Sequence, residues 1–174
     1  MTQAAGQAGG DAMSTDMLTL VGTYRRRIPS SLERIWENVM DWEHLPWLHH
    51  QSFLSVKLLD ITADTWRGAI TMPPADRPRD AVIEVQCDRP HLRYWSRTVE
   101  GRGAGTEIFT RLAPVDERTT EVTVEFRVPG IDPAKAEALG ASFIKLYTLL
   151  WDQDETMMSR RQKQLDRGFR DGNV

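Results

Sequence analysis

The sequence predicts an α+β fold in which a curved antiparallel sheet wraps around one long C-terminal helix. Three patterns predict it. Seven segments show strand-like hydrophobicity, and six of them follow one another as a meander. A short capped helical segment separates the first from the rest. An apolar row at helical spacing then closes the chain.

Met17 to Ile28 alternates around Leu18, Leu20, Gly22 and Tyr24 and reads as the first strand. A helix start follows at Pro29-Ser30, with Glu33 as the capping-box partner. Leu32, Ile35, Trp36, Val39 and Met40 give that helix an apolar face, and the helical segment reaches about Gln51. Phe53 to Ile61 and Thr65 to Met72 are strands around the turn Thr62-Ala63-Asp64, with Trp66 packing on a sheet face. Three prolines between Pro73 and Pro78 make a loop, since none could sit in a central strand.

Asp80 to Gln86 and His91 to Val99 are the next strands, separated by Asp88-Arg89-Pro90. The glycines of Gly101 to Gly105 form a turn; the lysine and helix of a phosphate loop do not follow it. Thr106 to Ala113 and Glu117 to Val128 complete the meander. From Glu121 to Val128 apolar and polar residues alternate strictly, so one face is buried and one is wet. The last helix starts at Asp132 with Pro133 as its first residue. Its inward row runs through Leu139, Phe143, Leu146, Tyr147, Leu150, Asp154, Met157, Met158 and Leu165.

The bulk numbers exclude several classes. A length of 174 residues suits one domain, expected over residues 17–174, with Met1 to Asp16 as a disordered tail rather than a signal peptide. The net charge of −3, from 22 basic and 25 acidic residues, leaves no polycationic footprint for nucleic acid. No apolar stretch approaches the ~20 residues of a membrane span. A cytoplasmic protein is expected. The single cysteine, Cys87, allows no intrachain disulfide and no cysteine-based zinc site.

Chemistry concentrates in Asn38 to His50, which holds three of the four histidines. Asn38, Asp41 and His44 fall at i, i+3 and i+6, a polar stripe beside the apolar one. Asp41 is spaced to accept a hydrogen bond from one ring nitrogen of His44, as partners of metal-bound histidines do. His49 lies about 140° round an ideal helix from His44, so the two converge only if the helix breaks; Pro46 is where a break is expected. His50 is the alternative should the chain bend differently. Asp154 sits in the middle of an apolar row, where an unpaired carboxylate is costly and a cation would remove the conflict. Asp152, about 200° away, should face water. Two imidazoles and a carboxylate with open positions make the facial triad of non-haem Fe(II) oxygenases. Trp42, Trp47, Phe53, Tyr147 and Trp151 flank this region, either as core packing or as a wall for an aromatic substrate.

Asn38-x2-Asp41-x2-His44-x4-His49 resembles the iron-binding motif of the catalytic domain of Rieske non-haem iron aromatic-ring-hydroxylating oxygenases and their demethylase relatives. Trp151 to Gln162 resembles the final-helix segment of that family. The resemblance spans Met17 to Phe169 and implies the helix-grip fold of the START and Bet v 1-like (SRPBCC) superfamily, with a ligand cavity between sheet and helix. It places His44, His49 and Asp154 on Fe(II), and makes Asp41 and Asn38 the candidate catalytic residues around it. In the family, Asp41's counterpart bridges to the electron-delivering cluster. Members carry a Rieske domain ahead of this one; this sequence departs from that pattern. A Rieske cluster needs two cysteines, which one Cys87 cannot supply. The expected partners are an apolar or aromatic small molecule and a separate ferredoxin or Rieske electron donor, unless the substrate supplies the electrons. Family trimers bring one subunit's cluster to the next subunit's iron, so without a cluster homo-oligomerisation stays open. The alternatives on this fold are a metal-free START-like binder of hydrophobic ligands and a polyketide cyclase or aromatase.

Overall fold

The structure is a computed structural model that describes residues 18–169. The expected N-terminal tail and Met17 lie outside the described residues. The chain runs β1 (Leu18–Ile28), α1 (Leu32–Met40), α2 (His44–Leu48), β2 (Ser55–Ile61), β3 (Thr65–Met72), β4 (Arg79–Asp88), β5 (Arg93–Gly101), β6 (Glu107–Asp116), β7 (Thr119–Pro129) and α3 (Pro133–Asp166). The seven strands form one antiparallel sheet in the order β1-β7-β6-β5-β4-β3-β2. Consecutive strands pair throughout the meander, and β1 closes onto β7. The two helices between β1 and β2 connect the opposite edges of the sheet.

Strand β7 shows why the sheet has a core face. Its alternation places Thr120, Val122, Val124 and Phe126 inward, all fully buried. Burial of Val122, Val124 and Phe126 stabilises the fold by about 1.5–3 kcal/mol each. Helix α3 covers this face: Phe143 stacks on Phe126 with centroids 5.0 Å apart, and Tyr147 meets Phe126 edge-on at 4.8 Å. The cap is the expected one, Asp132 accepting from the Ala134 N–H at 3.0 Å. Helix and sheet approach closely at two glycines, Gly22 of β1 and Gly140 of α3. A β-bulge lies between Leu20 and Gly22, and a Cβ built on Gly140 would stand 2.0 Å from the Val21 carbonyl oxygen. On the outer side, Arg26 of β1 donates to Asp152 at 2.6 Å and also to Glu155. Asp152 is thus on the exposed face, as its position round the helix requires.

Three local expectations are corrected. The cap of α1 is Ser31, whose hydroxyl accepts from the Arg34 N–H, whereas Ser30 is buried and its carbonyl accepts from the Thr120 hydroxyl at 3.0 Å. Glu33 therefore sits one position short of a capping-box partner and pairs with Arg34 instead. Strand β5 starts at Arg93 rather than His91, because Arg89–His91 form a 3-10 turn begun by Pro90 and held by a 2.7 Å bond between Asp88 and the His91 ring. Strand β2 starts at Ser55, since the Ser52 and Phe53 N–H groups turn back to the His49 carbonyl.

A fourth correction matters most to the site. The polar stripe Asn38, Asp41, His44 does not lie on one helix: the break falls at Asp41, Trp42 and Glu43, not at Pro46. Trp66 explains it. Its indole N–H donates at 2.9 Å to the Val39 carbonyl, which a continuing helix would have offered to the Glu43 N–H. Pro46 is tolerated because it occupies the first turn of α2, where an N–H has no partner within the helix.

Candidate metal centre

The break lets the short helix α2 turn, so that His44 at its start and His49 at its C-cap face the same point. Their rings meet edge-on, with centroids 5.2 Å apart. From the other side α3 brings Asp154, 6% exposed, so that its Oδ1 lies 3.0 Å from His49 Nε2 and 3.5 Å from His44 Nε2. One ligand atom from each of the three residues lies within 4.8 Å of the others. His50 is exposed and outside this cluster, and His91 is on the distant 3-10 turn.

Hydrogen bonding makes the His49–Asp154 contact a conflict unless something positive occupies it. The His49 Nδ1–H donates to Gln153 Oε1 at 2.7 Å, so in a neutral ring Nε2 carries a lone pair. That lone pair would face a carboxylate oxygen at 3.0 Å. Either Nε2 binds a proton, or a cation lies between the two. For His49, burial works against the charged ring, but the bond and charge of Asp154 and the Gln153 bond outweigh it, raising its pKa. For Asp154, burial alone would raise the pKa, yet its bonds to His44 and His49 and their charges hold it below the ordinary carboxylate value. Without a metal, the proton is therefore on the imidazole side.

The residues fit a metal on two counts. Donors about 2.1 Å from a common ion stand roughly 3 Å apart on one face, close to the 3.0 and 3.5 Å that separate Asp154 Oδ1 from the two imidazole nitrogens. The other nitrogen of His44, Nδ1, is buried without a hydrogen-bond partner and sits 3.7 Å from Asp41 Oδ2. The expected Asp41–His44 bond is thus an approach rather than a bond, and a shift of somewhat under 1 Å would close it. Asn38 lies on α1 beside them, 8% exposed, with a buried Oδ1 that also lacks a partner.

The cluster forms the polar end of a cavity of about 130 Å³ between sheet and α3, open to solvent on one side. Asn38, Asp41, Phe53, Tyr147 and Trp151 line it. The other two aromatic candidates do not. Trp42, in the break, packs against the core, and Trp47 is 84% exposed. Leu45 packs inward, so Trp47, about 200° further round α2, faces solvent. Residues not anticipated are Gln153, which fixes the His49 tautomer, and the sheet wall of Trp66, Ile83, Val85, Tyr94 and Ser96. Gln153 was adjacent to a candidate ligand, the one signal that could have found it. The wall residues alternate along strands like any core residue.

No family model and no curated protein matches the sequence. Solved structures do match. A START superfamily protein from Mycobacterium smegmatis aligns with a TM-score of 0.63 at 13% identity, over 78% of this chain and 97% of that one. The Zhui aromatase/cyclase from a Streptomyces species aligns at 0.64 and 14%, over 80% and 93%. Dicamba monooxygenase bound to 3,6-dichlorosalicylic acid aligns at 0.60 and 13%, over 88% of this chain and 54% of that one. At such identities the likeness concerns the fold. That fold is the helix grip of START and Bet v 1-like proteins: a seven-stranded antiparallel sheet around a long C-terminal helix. Among the described residues no helix is long and apolar enough to cross a membrane.

Proposed function

We propose that this chain is a mononuclear non-haem iron protein of the oxygenase kind, acting on an apolar, aromatic substrate held in the helix-grip cavity. One observation carries the reading: two imidazole nitrogens and a buried carboxylate oxygen converge at the polar end of an otherwise apolar cavity. His44, His49 and Asp154 would hold Fe(II). Bound there with positions left open, the ion supplies the one-electron and O2 chemistry of hydroxylation or oxidative demethylation. The chain's own residues do the rest. Gln153 fixes His49 so that Nε2 is the ligating atom, and Asp41, 3.7 Å from His44 Nδ1, would orient that ring once the gap closes. The apolar walls exclude water and set the substrate beside the cluster. Electrons come from a separate ferredoxin or Rieske-type protein reaching the exposed side of Asp41, or from the substrate itself.

A second reading is supported by the likeness to an aromatase/cyclase. In it the cavity takes a hydrophobic ligand without metal, and the His49–Asp154 pair binds or moves a proton. Metal dependence separates the two. Native protein and Asp154→Ala are loaded anaerobically with Fe(II) and their metal measured by mass spectrometry. About one iron per chain in the native protein, and much less in the variant, is expected for a three-ligand site. Equal, negligible iron in both would overturn the oxygenase reading in favour of the metal-free one. O2 consumption with and without an added ferredoxin then identifies the electron source.

A further inference from the structure

We infer that the hydroxyls of Tyr94, Ser96 and Tyr147 form a hydrogen-bonding subsite in the cavity wall, and that its ligand is an apolar molecule bearing a carbonyl group. This deepens the reading above and rests on it only in taking the cavity as the ligand's place, which the metal and metal-free versions share. Its three residues are distinct from His44, His49 and Asp154.

Strand register brings the three together. Tyr94 and Ser96 are two apart on β5, so both side chains stand on the core face of the sheet. Ser96 pairs with Ile108 and Ile108 with Phe126. On Phe126 the Tyr147 ring of α3 sits edge-on, with 4.8 Å between centroids. All three side chains line the cavity. Tyr94 is near enough to act on Tyr147: burial first, then the Tyr94 phenol, then Asp154 push Tyr147 above the ordinary tyrosine value. Burial chiefly does the same to Tyr94, so both phenols keep their protons.

None of the three hydroxyls is used up by the protein. The Tyr147 and Ser96 side chains hydrogen-bond to no described residue, and Tyr94, 8% exposed, has the Thr110 hydroxyl beside it. Thr110 Oγ1 is buried with no other partner, so it is placed to donate to the Tyr94 oxygen, and the Tyr94 proton is left over. A wholly apolar guest would displace water from these hydroxyls and strand buried donors, which is costly. A carbonyl oxygen has two lone pairs and no proton, so it accepts from two hydroxyls at once and strands nothing. Phenol oxygens, their lone pairs drawn into the ring, are better donors than acceptors. That favours a carbonyl over an alcohol or an amine.

The test compares acetophenone with α-methylstyrene, which has nearly the same shape with C=CH2 in place of C=O. Both are titrated calorimetrically into the full chain after chelator treatment. Acetophenone should bind about tenfold or more tightly than the alkene. Tyr94→Phe and Tyr147→Phe should each cut that ratio through acetophenone alone, with α-methylstyrene affinity and Tm held. The infrared C=O stretch of carbonyl-labelled acetophenone should fall on binding to the native chain and return towards the free value in the variants. Tyrosines that only pack would move neither the ratio nor the stretch. Equal affinities in the native chain, a ratio unchanged in both variants, or no binding by either probe would overturn the inference. Iron content judges the metal reading separately: a native chain that takes up no iron sinks that reading and leaves the acetophenone series untouched. If this inference fails, it fails in the metal-free series whether or not iron binds.

Discussion

Substituting Gly140 by alanine tests how α3 is held on the sheet, because two principles give opposite signs. At an exposed position inside a helix the change would stabilise by about 1 kcal/mol, since glycine has more backbone freedom to lose. Gly140 is buried against the bulge of β1, where the new Cβ would stand 2.0 Å from the Val21 oxygen and 2.8 Å from its carbonyl carbon. Relieving that overlap means parting helix and strand by roughly 1 Å, and the β1–β7 ladder resists it. Overpacking of this kind costs about 1–3 kcal/mol and, against backbone, sits at the upper end. The net expectation is destabilisation by about 2 kcal/mol, a fall in Tm of roughly 4–8 °C for a chain of this size. Gly22→Ala should be milder, its Cβ meeting Gly140 at 3.3 Å. Thermal and urea unfolding of both variants gives the answer. An unchanged or raised Tm for Gly140→Ala would refute the close-approach argument. Gly140 also lies about 21 Å along the helix from Asp154. A helix tilted at that pivot displaces the carboxylate, so iron uptake should fall with stability.

Three further outcomes are expected. Gln153→Ala removes the acceptor for His49 Nδ1–H and should weaken metal binding by about 10–100-fold in chelator competition; unchanged affinity would mean the tautomer is fixed otherwise. Cys87, its thiol pushed up to about 11 chiefly by burial, should react far more slowly with a disulfide reagent at pH 8 than the unfolded chain does, and equal rates would contradict its burial. Trp47→Ser should change stability by no more than about 0.5 kcal/mol and leave iron uptake intact. A large loss of either would restore Trp47 to the site.

Much of this was legible in the residues because it depends on local periodicity. The alternation from Glu121 to Val128 specifies which face of β7 is buried, and Asp132-Pro133 specifies where α3 starts. Asp154 stood out because a carboxylate in an apolar row needs a partner, and the structure gives it two imidazoles. The helix break was not legible. A proline is a visible breaker, whereas the donor that terminates α1 comes from an indole 27 residues away on β3. Trp47 was misjudged for a related reason. Closeness to His44 and His49 in sequence says nothing of facing until the turn of α2 is known. The serine cap shifted by one position because Ser30 is drawn into a long-range bond with Thr120, which no local rule contains.

Trp66 has a second face to its role. The ring whose N–H ends α1 also forms part of the cavity wall. On the proposed function, a molecule seated in the cavity would lean on the same indole that sets where His44 begins its helix, so guest and ion would share a boundary. Any preference of such a guest for one setting of that indole would be returned, by the same factor, as a change in the affinity of the proposed site for metal. Trp66→Phe keeps a ring in the wall but releases the Val39 carbonyl, and so uncouples the two events while leaving each possible.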